Sequence, residues 1–310
     1  MRVADQFAGF GGFSTGADLA GLSVVWAANH NPTAVYVHQT NHPGAIHLCQ
    51  DLHQANWHDM PQFDLLLAGP SCPGFSSAGQ PGRARSAEVR KKHDDMRADP
   101  WAVISCVEVT RPPAVIVENV PLIRSWPLLP SWLDAFTRLG YTVTIENLLA
   151  SRCGAPQRRN RVFFSAVRHG SLDLRNLEDD TETPIGPCID WDSAGDGKGW
   201  LEVGAASDVI KARIAKGRRN HGRRFLTQHV TGHRGVGLDE PIRTITTKAQ
   251  WNVVDGDRYR SLSKRETARA MGFPDSFVIP ADVTKEQAVR GLGNAVPPPM
   301  ARRLIERIAG

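Results

Sequence analysis

A thiol at a strand end is the first place in this chain where chemistry could occur. Cys72 sits in Ala68-Gly69-Pro70-Ser71-Cys72-Pro73-Gly74-Phe75-Ser76, directly after the apolar run Phe63 to Ala68. That run predicts a buried strand, and the Pro/Gly sequence after it predicts a turn. Open α/β sheets place ligands beyond the carboxyl ends of their strands. A sulfur there is suited to nucleophilic attack, although a free cysteine is more often a core residue, and this stretch alone leaves both readings open. Glu118 ends a second apolar run, Ala114 to Val117, where a carboxylate is costly unless it serves a partner or holds a proton. Gln157-Arg158-Arg159-Asn160-Arg161 forms a basic turn just before a further apolar strand. Phe7-Ala8-Gly9-Phe10-Gly11-Gly12 follows the first strand and precedes a helix, where glycines let a ligand approach the backbone. Gly293-Asn294-Ala295-Val296, followed by three prolines, predicts a tight turn before a last helix.

The elements that must position these residues alternate through the first 170 positions. Strands are expected at Arg2 to Gln6, Val24 to Ala28, Phe63 to Ala68, Ala114 to Val117, Tyr141 to Leu149 and Val162 to Val167. Ser14 is expected to cap a helix ending at Gly21, Pro32 to open one running to about Asn41, and Asp99-Pro100 to start another. A helix is also expected to end at Gly140. This rhythm predicts an α/β fold with a doubly wound sheet. Residues 171–255 lose the rhythm and predict a smaller, mostly irregular second domain, with a β-like piece at Ile242 to Thr247. From Leu262 the helical pattern returns. The chain therefore divides as 1–170, 171–255 and 256–310, the last returning to the first.

Composition narrows the class. The 310 residues are 41 % hydrophobic and 22 % charged, which is ordinary globular usage. No apolar run is long enough for a membrane span and the first residues lack a signal peptide's apolar core, so a cytoplasmic location is expected. Five cysteines without a C-x-x-C pair suggest neither a disulfide framework nor a metal site. Cys49 and Cys106 are expected in the core, and Cys153 and Cys188 in polar loops. The net charge of +5 is unevenly spread. Eight acids fall within 171–200, whereas 211–234 carries Lys211, Arg213, Lys216, Arg218, Arg219, Arg223, Arg224 and Arg234 with no acid. So one-sided a run fits a phosphate-binding surface, with a solvated face as the alternative.

Taken together and in order, these segments resemble the DNA cytosine-5 methyltransferases over nearly the whole chain. Phe7 to Gly12 is similar to that family's cofactor loop, Gly69 to Ser76 to its nucleophile loop, and Glu118-Asn119-Val120 to its Glu-Asn-Val motif. Gln157 to Arg161 matches Gln-x-Arg-x-Arg, Arg265-Glu266-x-x-Arg269-x-Met271-Gly272-Phe273-Pro274 the late helix motif, and Gly293 to Val296 the final one. The resemblance implies a Rossmann-like S-adenosylmethionine-dependent domain with a target recognition domain at 171–255. It implies that Cys72 adds to C6 of a flipped cytosine, that Glu118 binds N3 and the exocyclic amine, and that Arg159 and Arg161 hold O2 and brace the loop. Phe7, Gly9, Gly11, Gly12, Asn29, Asp51, Leu52, Asn294 and Val296 are the implied cofactor residues. Pro73 to Asp99 is the implied lid, whose Arg83, Arg85 and Arg97 clamp phosphates. Arg218, Arg219, Arg223 and Arg224 are expected to meet phosphates, and Thr246, Thr247 and Lys248 to face the groove. The implied partner is double-stranded DNA, bound by a monomer at the nucleoid, with a cognate restriction endonuclease acting separately.

Three positions depart from the family pattern. Asn29 replaces the usual ribose-binding acid, Ser71 the usual Pro before the nucleophile, and Pro73 the usual Gln after it. Activity is expected to survive these changes. Competing readings are an RNA cytosine-5 methyltransferase of the same fold, a catalytically degenerate DNA-binding protein, and an NAD-type oxidoreductase. The dedicated basic region opposes the first, the intact Cys72, Glu118 and Arg161 the second, and the third leaves those residues unexplained.

Overall fold

A computed structural model of the chain describes residues 1–71, 96–197, 199–230 and 232–310. Cys72, Pro73, Arg83 and Arg85 lie outside the described residues. The larger body is built from β1 (Arg2–Gln6), α1 (Gly12–Leu19), β2 (Ser23–Asn29), α2 (Pro32–Asn41), β3 (Ile46–Cys49) and β4 (Leu65–Ala68). It continues with α3 (Asp99–Thr110), β5 (Ala114–Asn119), α4 (Leu129–Arg138), β6 (Thr142–Leu149), β7 (Gln157–Arg158) and β8 (Asn160–Val167). Seven of these strands form one sheet in the order β3-β2-β1-β4-β5-β8-β6. The ladders from β3 to β5 are parallel, and β8 runs antiparallel to both of its neighbours.

Successive side chains on the central strands serve opposite faces, as strand geometry requires. Leu66, Val115 and Val117 join Val103 of α3 and Trp132 of α4 in one core. Leu65, Leu67 and Ile116 join Phe13 of α1 in the other, beneath a C-terminal helix, α8, described below. A sheet covered on both faces reads as continuous apolar runs, which is why Leu65 to Ala68 was legible. The strand order reverses between β1 and β4, so a ligand crevice is expected beyond their carboxyl ends. Gly69 N–H donates to the Gln6 carbonyl there at 3.1 Å.

The second body is more regular than its composition suggests. β9 (Leu201–Glu202), β10 (Arg224–Gln228), β12 (Trp251–Asp255) and β13 (Arg258–Ser261) form an antiparallel sheet in the order β10-β12-β13-β9. This sheet runs on to Ser261, past the expected boundary at 255. α5 (Asp208–His221) packs on it at Gly217, where a Cβ would fall 2.1 Å from the Phe225 ring. Of the β-like piece from Ile242 to Thr247, only β11 (Ile242–Arg243) is a strand, and it pairs with β7 of the larger body. The return segment comprises α6 (Lys264–Ala270), α7 (Lys285–Asn294) and α8 (Pro298–Ala309). Ser263 with Glu266 and Thr284 with Gln287 form capping boxes that start α6 and α7. Glu266 also pairs with buried Arg260 of β13 at 2.7 Å, which ties the late helix motif to the small sheet.

Several local expectations give way. Ser14 lies inside α1 rather than capping it, and its hydroxyl donates to buried Asp5 at 2.7 Å. Asp99 is within α3, not its cap, and its carboxylate accepts from Ser71 N–H at 3.3 Å. Cys49 is exposed on the edge strand, whereas Cys153 and Cys188 are buried, because the loops carrying them are covered by other parts of the chain. Asn294 ends α7, so the expected tight turn is a helix terminus followed by the proline start of α8.

Candidate active site

Two crevice walls meet at the carboxyl ends of β4 and β5. Glu118 is 3 % exposed, and its Oε1 lies 2.6 Å from Nε of Arg161 on the adjacent β8. Burial raises its carboxyl above the ordinary range, while the Arg161 and Arg159 guanidinium charges pull it back down. The next residue, Asn119, donates from Nδ2 to the Pro70 carbonyl at 3.1 Å and accepts from Val120 N–H at 2.9 Å. With Ser71 held by Asp99, the stem that leads into Cys72 is tied to both β5 and α3.

Arg159 and Arg161 have separate tasks in this structure. Arg161 faces the carboxylate. Arg159 is 2 % exposed and donates to the carbonyls of Ile245, Gly293 and Ala295 at 3.1, 2.9 and 3.0 Å. Its guanidinium thus joins two distant backbone segments, at Ile245 and at Gly293 to Ala295. Gln157, to which the sequence assigned no role of its own, accepts from Ile245 N–H and donates to the Ala270 carbonyl, both at 3.0 Å. The motif is therefore partly a bracket. It fixes the segment carrying Thr246, Thr247 and Lys248, all three exposed, beside the catalytic sheet.

At the end of β1 the Gly-rich turn divides into ligand-side and protein-side glycines. Gly9 has φ +56°, and a Cβ there would meet only the Phe7 carbonyl, at 3.9 Å. Gly69 opens on the same space. Gly12 instead faces the protein, where a Cβ would fall 2.0 Å from the Val296 carbonyl oxygen. Gly11 backs onto His38 and His42. Val296 therefore closes the turn with its backbone, and Asn294 is exposed beside it.

Beneath the turn lies a polar chain that the sequence did not announce. Asp5 Oδ2 accepts from Ser14, whose Oγ is 2.9 Å from His38 Nε2, and His38 Nδ1 is 2.8 Å from His47 Nε2. Complete burial pushes the Asp5 carboxyl up to about 7. Burial, then the neighbouring imidazoles His42 and His47, hold His38 well below its ordinary value. Asp5 Oδ1, both amide atoms of Gln6 and Thr15 Oγ1 are buried without a hydrogen-bond partner among the described residues. The open faces of Gly9 and Gly69 leave room for a small molecule to approach the backbone. Asn29, at the end of β2, uses its carbonyl oxygen to accept from Asn31 N–H at 2.9 Å. The Asp51 carboxylate caps His53 N–H at 3.0 Å, and Leu52 is buried in the core beside Trp57.

The expected DNA contacts fall in different places. Arg97 lines a groove of about 430 Å³ with Trp101, Trp126 and Leu128. Arg218 is paired with Asp257, and Arg223 and Arg224 with Asp255, at the end of the small sheet away from the catalytic body. Arg219 is exposed on α5. Another groove, of about 470 Å³ between Trp57, Phe63 and Val109, opens at the amino ends of β1 and β4, remote from all these residues. No helix among the described residues is long and apolar enough to cross a membrane.

Comparison with known proteins matches this arrangement. A Type II methyltransferase of Neisseria lactamica, M.NlaX, is 28 % identical over 99 % of this chain and 96 % of its own. M1.HphI of Haemophilus parahaemolyticus is 27 % identical over 99 % of this chain and 86 % of its own. Among solved structures, an E. coli prophage protein described as a DNA modification methyltransferase superposes with a TM-score of 0.72 at 22 % identity, covering 100 % of this chain and 98 % of that one. The S. pombe Dnmt2 methyltransferase gives 0.69 at 18 % identity, covering 99 % and 97 %. These two likenesses speak for the fold, a Rossmann-like methyltransferase sheet. The family model for C-5 cytosine-specific DNA methylases matches residues 1–186 and 203–310, and the chain, with its Glu118–Arg161 pair and bracketed crevice, belongs to that family.

Proposed function

We propose that the protein transfers a methyl group from S-adenosylmethionine to C5 of a cytosine flipped out of duplex DNA, through a covalent bond between Cys72 and C6. The observation that carries this reading is Glu118, buried against Arg161 and next to the Asn119–Pro70 hydrogen bond at the base of the Cys72 loop. A carboxyl raised by burial can donate to N3 of the ring and accept from its amine. Attack of the thiolate at C6 places negative charge on the pyrimidine, and Glu118 with its proton meets that charge at N3. Once C5 carries the methyl group, the C5 proton leaves to a base and the Cys72–C6 bond breaks to release the thiolate. Arg161 holds Glu118 in place, and Arg159 holds the surrounding backbone. Such chemistry needs the base outside the stack.

The crevice beyond β1 and β4 fits the cofactor. Gly9 and Gly69 would admit it closely, and the Phe7 turn with Asn29, Asp51 and Asn294 would surround its adenosine. When bound, it supplies an electrophilic methyl carbon. Asn29 offers an amide rather than a charge to the ribose hydroxyls, so cofactor binding rests more on the turn than on that contact. Residues 171–255 are assigned to target recognition, with Thr246, Thr247 and Lys248 exposed beside the catalytic body. The names of the relatives, Type II methyltransferases, support a restriction endonuclease as a separate partner; the chain is proposed to act as a monomer. Duplex DNA containing 5-fluorocytosine tests the reading. The wild type should form an adduct that survives denaturation, and Cys72→Ala should not; absence of an adduct with the wild type would remove the covalent step.

A further inference from the structure

We propose that His229 and His233 read the DNA target by presenting imidazole N–H donors to the acceptor edge of purines in the major groove, guanine in preference to adenine. This rests on the duplex-DNA reading above. Both residues stand where β10 ends and β12 begins, since Gln228 pairs with Trp251. That end of the small sheet is also where the chain passes to the catalytic body, through 242–250 on one side and from Ser261 into α6 on the other. Arg243 interacts electrostatically with His233, and its strand partner is Arg158, which lies in the same motif as Arg161.

The fold fixes one tautomer for each ring. His233 Nδ1 accepts from Gln228 N–H at 3.3 Å and Gly235 N–H at 3.2 Å, which leaves the proton on Nε2. His229 Nε2 lies 2.8 Å from Asn252 Nδ2, a donor, which leaves the proton on Nδ1. Neither outward nitrogen has a partner among the described residues. Burial, then Arg243 and Arg213, push His233 down to about 4, and burial, then Arg213, lowers His229. Both rings are therefore neutral near pH 7, each with a single directed donor. Beside them, Gln228 Oε1 and Trp251 Nε1 are buried without hydrogen-bond partners among the described residues, so this sheet end holds unused polar capacity.

Guanine offers two adjacent major-groove acceptors, N7 and O6, whereas adenine offers N7 beside an amino donor. Fixed N–H donors favour the first pattern. The nearby cations Arg213 and Arg243 suit phosphates on either side. By contrast, Arg218, Arg223 and Arg224 are committed to Asp255 and Asp257 about four residues up the strands, roughly 13 Å away.

Bisulfite sequencing of a random-sequence duplex pool methylated by wild type, His229→Gln and His233→Asn tests this. Glutamine keeps an acceptor toward Asn252, and asparagine keeps one toward the two backbone N–H groups, while the amide NH2 of each lies away from the position of the imidazole N–H, so each variant displaces the outward donor. Each is expected to lose discrimination at one guanine position of the motif, roughly ten- to hundred-fold, while still methylating the same cytosine. An active wild type whose motif survives both substitutions, or a uniform fall across all sequences, would overturn this proposal alone. A wild type inert on every DNA would overturn the parent reading and this one with it.

Discussion

Removing Arg161 while Glu118 stays in place strands a buried carboxylate, and breaking such a pair costs about 3–5 kcal/mol. Arg161→Ala is therefore expected to lower the melting temperature clearly and abolish turnover. Glu118→Gln keeps the shape but cannot deliver a proton, so a turnover loss of about 10²–10³-fold is expected with cofactor affinity unchanged by calorimetry. Asp5 makes a different test. Its folded value, about 7, lies above the ordinary 3.8, so the folded chain binds the proton more tightly between those values. Its contribution to stability is full in acid and is lost as the pH rises through about 7. Asp5→Asn should flatten the fall in melting temperature between about pH 4 and about pH 7; an equally steep fall in the variant would assign the dependence elsewhere.

At the scale of elements, the glycines of the first turn separate by what each faces. Gly12→Ala puts a carbon 2.0 Å from the Val296 carbonyl oxygen and should cost several kcal/mol, with loss of cofactor binding. Gly9→Ala meets open space and should cost about 1 kcal/mol of backbone strain. Thermal melts and cofactor titrations of both variants would check the contrast. The sequence made the central strands legible because burial on both faces leaves uninterrupted apolar runs such as Leu65 to Ala68. It made Glu118 legible because an acid at the end of such a run is conspicuous. The carbonyls held by Arg159 were not legible, since Ile245 and the Gly293 to Ala295 segment lie far from it in the chain and no local pattern links them to it. The small sheet was hidden for a similar reason. Its two-residue β9 pairs only with β13, more than fifty residues later, and short strands carry little periodicity. Asp5 and His38 looked like ordinary members of a strand and a helix until Ser14 linked them.

Across the whole molecule, charge count and charge availability differ. The basic run from 211 to 234 invites a large phosphate footprint, yet Asp255 alone engages Arg223, Arg224 and Arg258. Each cation that truly neutralises a phosphate contributes about 0.9 to the slope of log affinity against log salt. Arg213→Ala is thus expected to reduce that slope by about one, and Arg223→Ala to leave it nearly unchanged, in fluorescence-anisotropy titrations of duplex DNA.

The contact between Gly12 and Val296 also sets a timetable for the molecule's birth. The glycine turn at Gly12 is made long before its wall, which Val296 supplies 284 positions later. At about 5–20 residues per second, translation separates the two by roughly 15–60 seconds. During that interval β1 and α1 exist without α8, and the faces of Phe13 and Ala17 that pack with Met300, Ala301 and Leu304 stay uncovered. A nascent chain is therefore expected to bind the proposed methyl donor only after Val296 has emerged, and a chain truncated before Val296 is expected to lack activity.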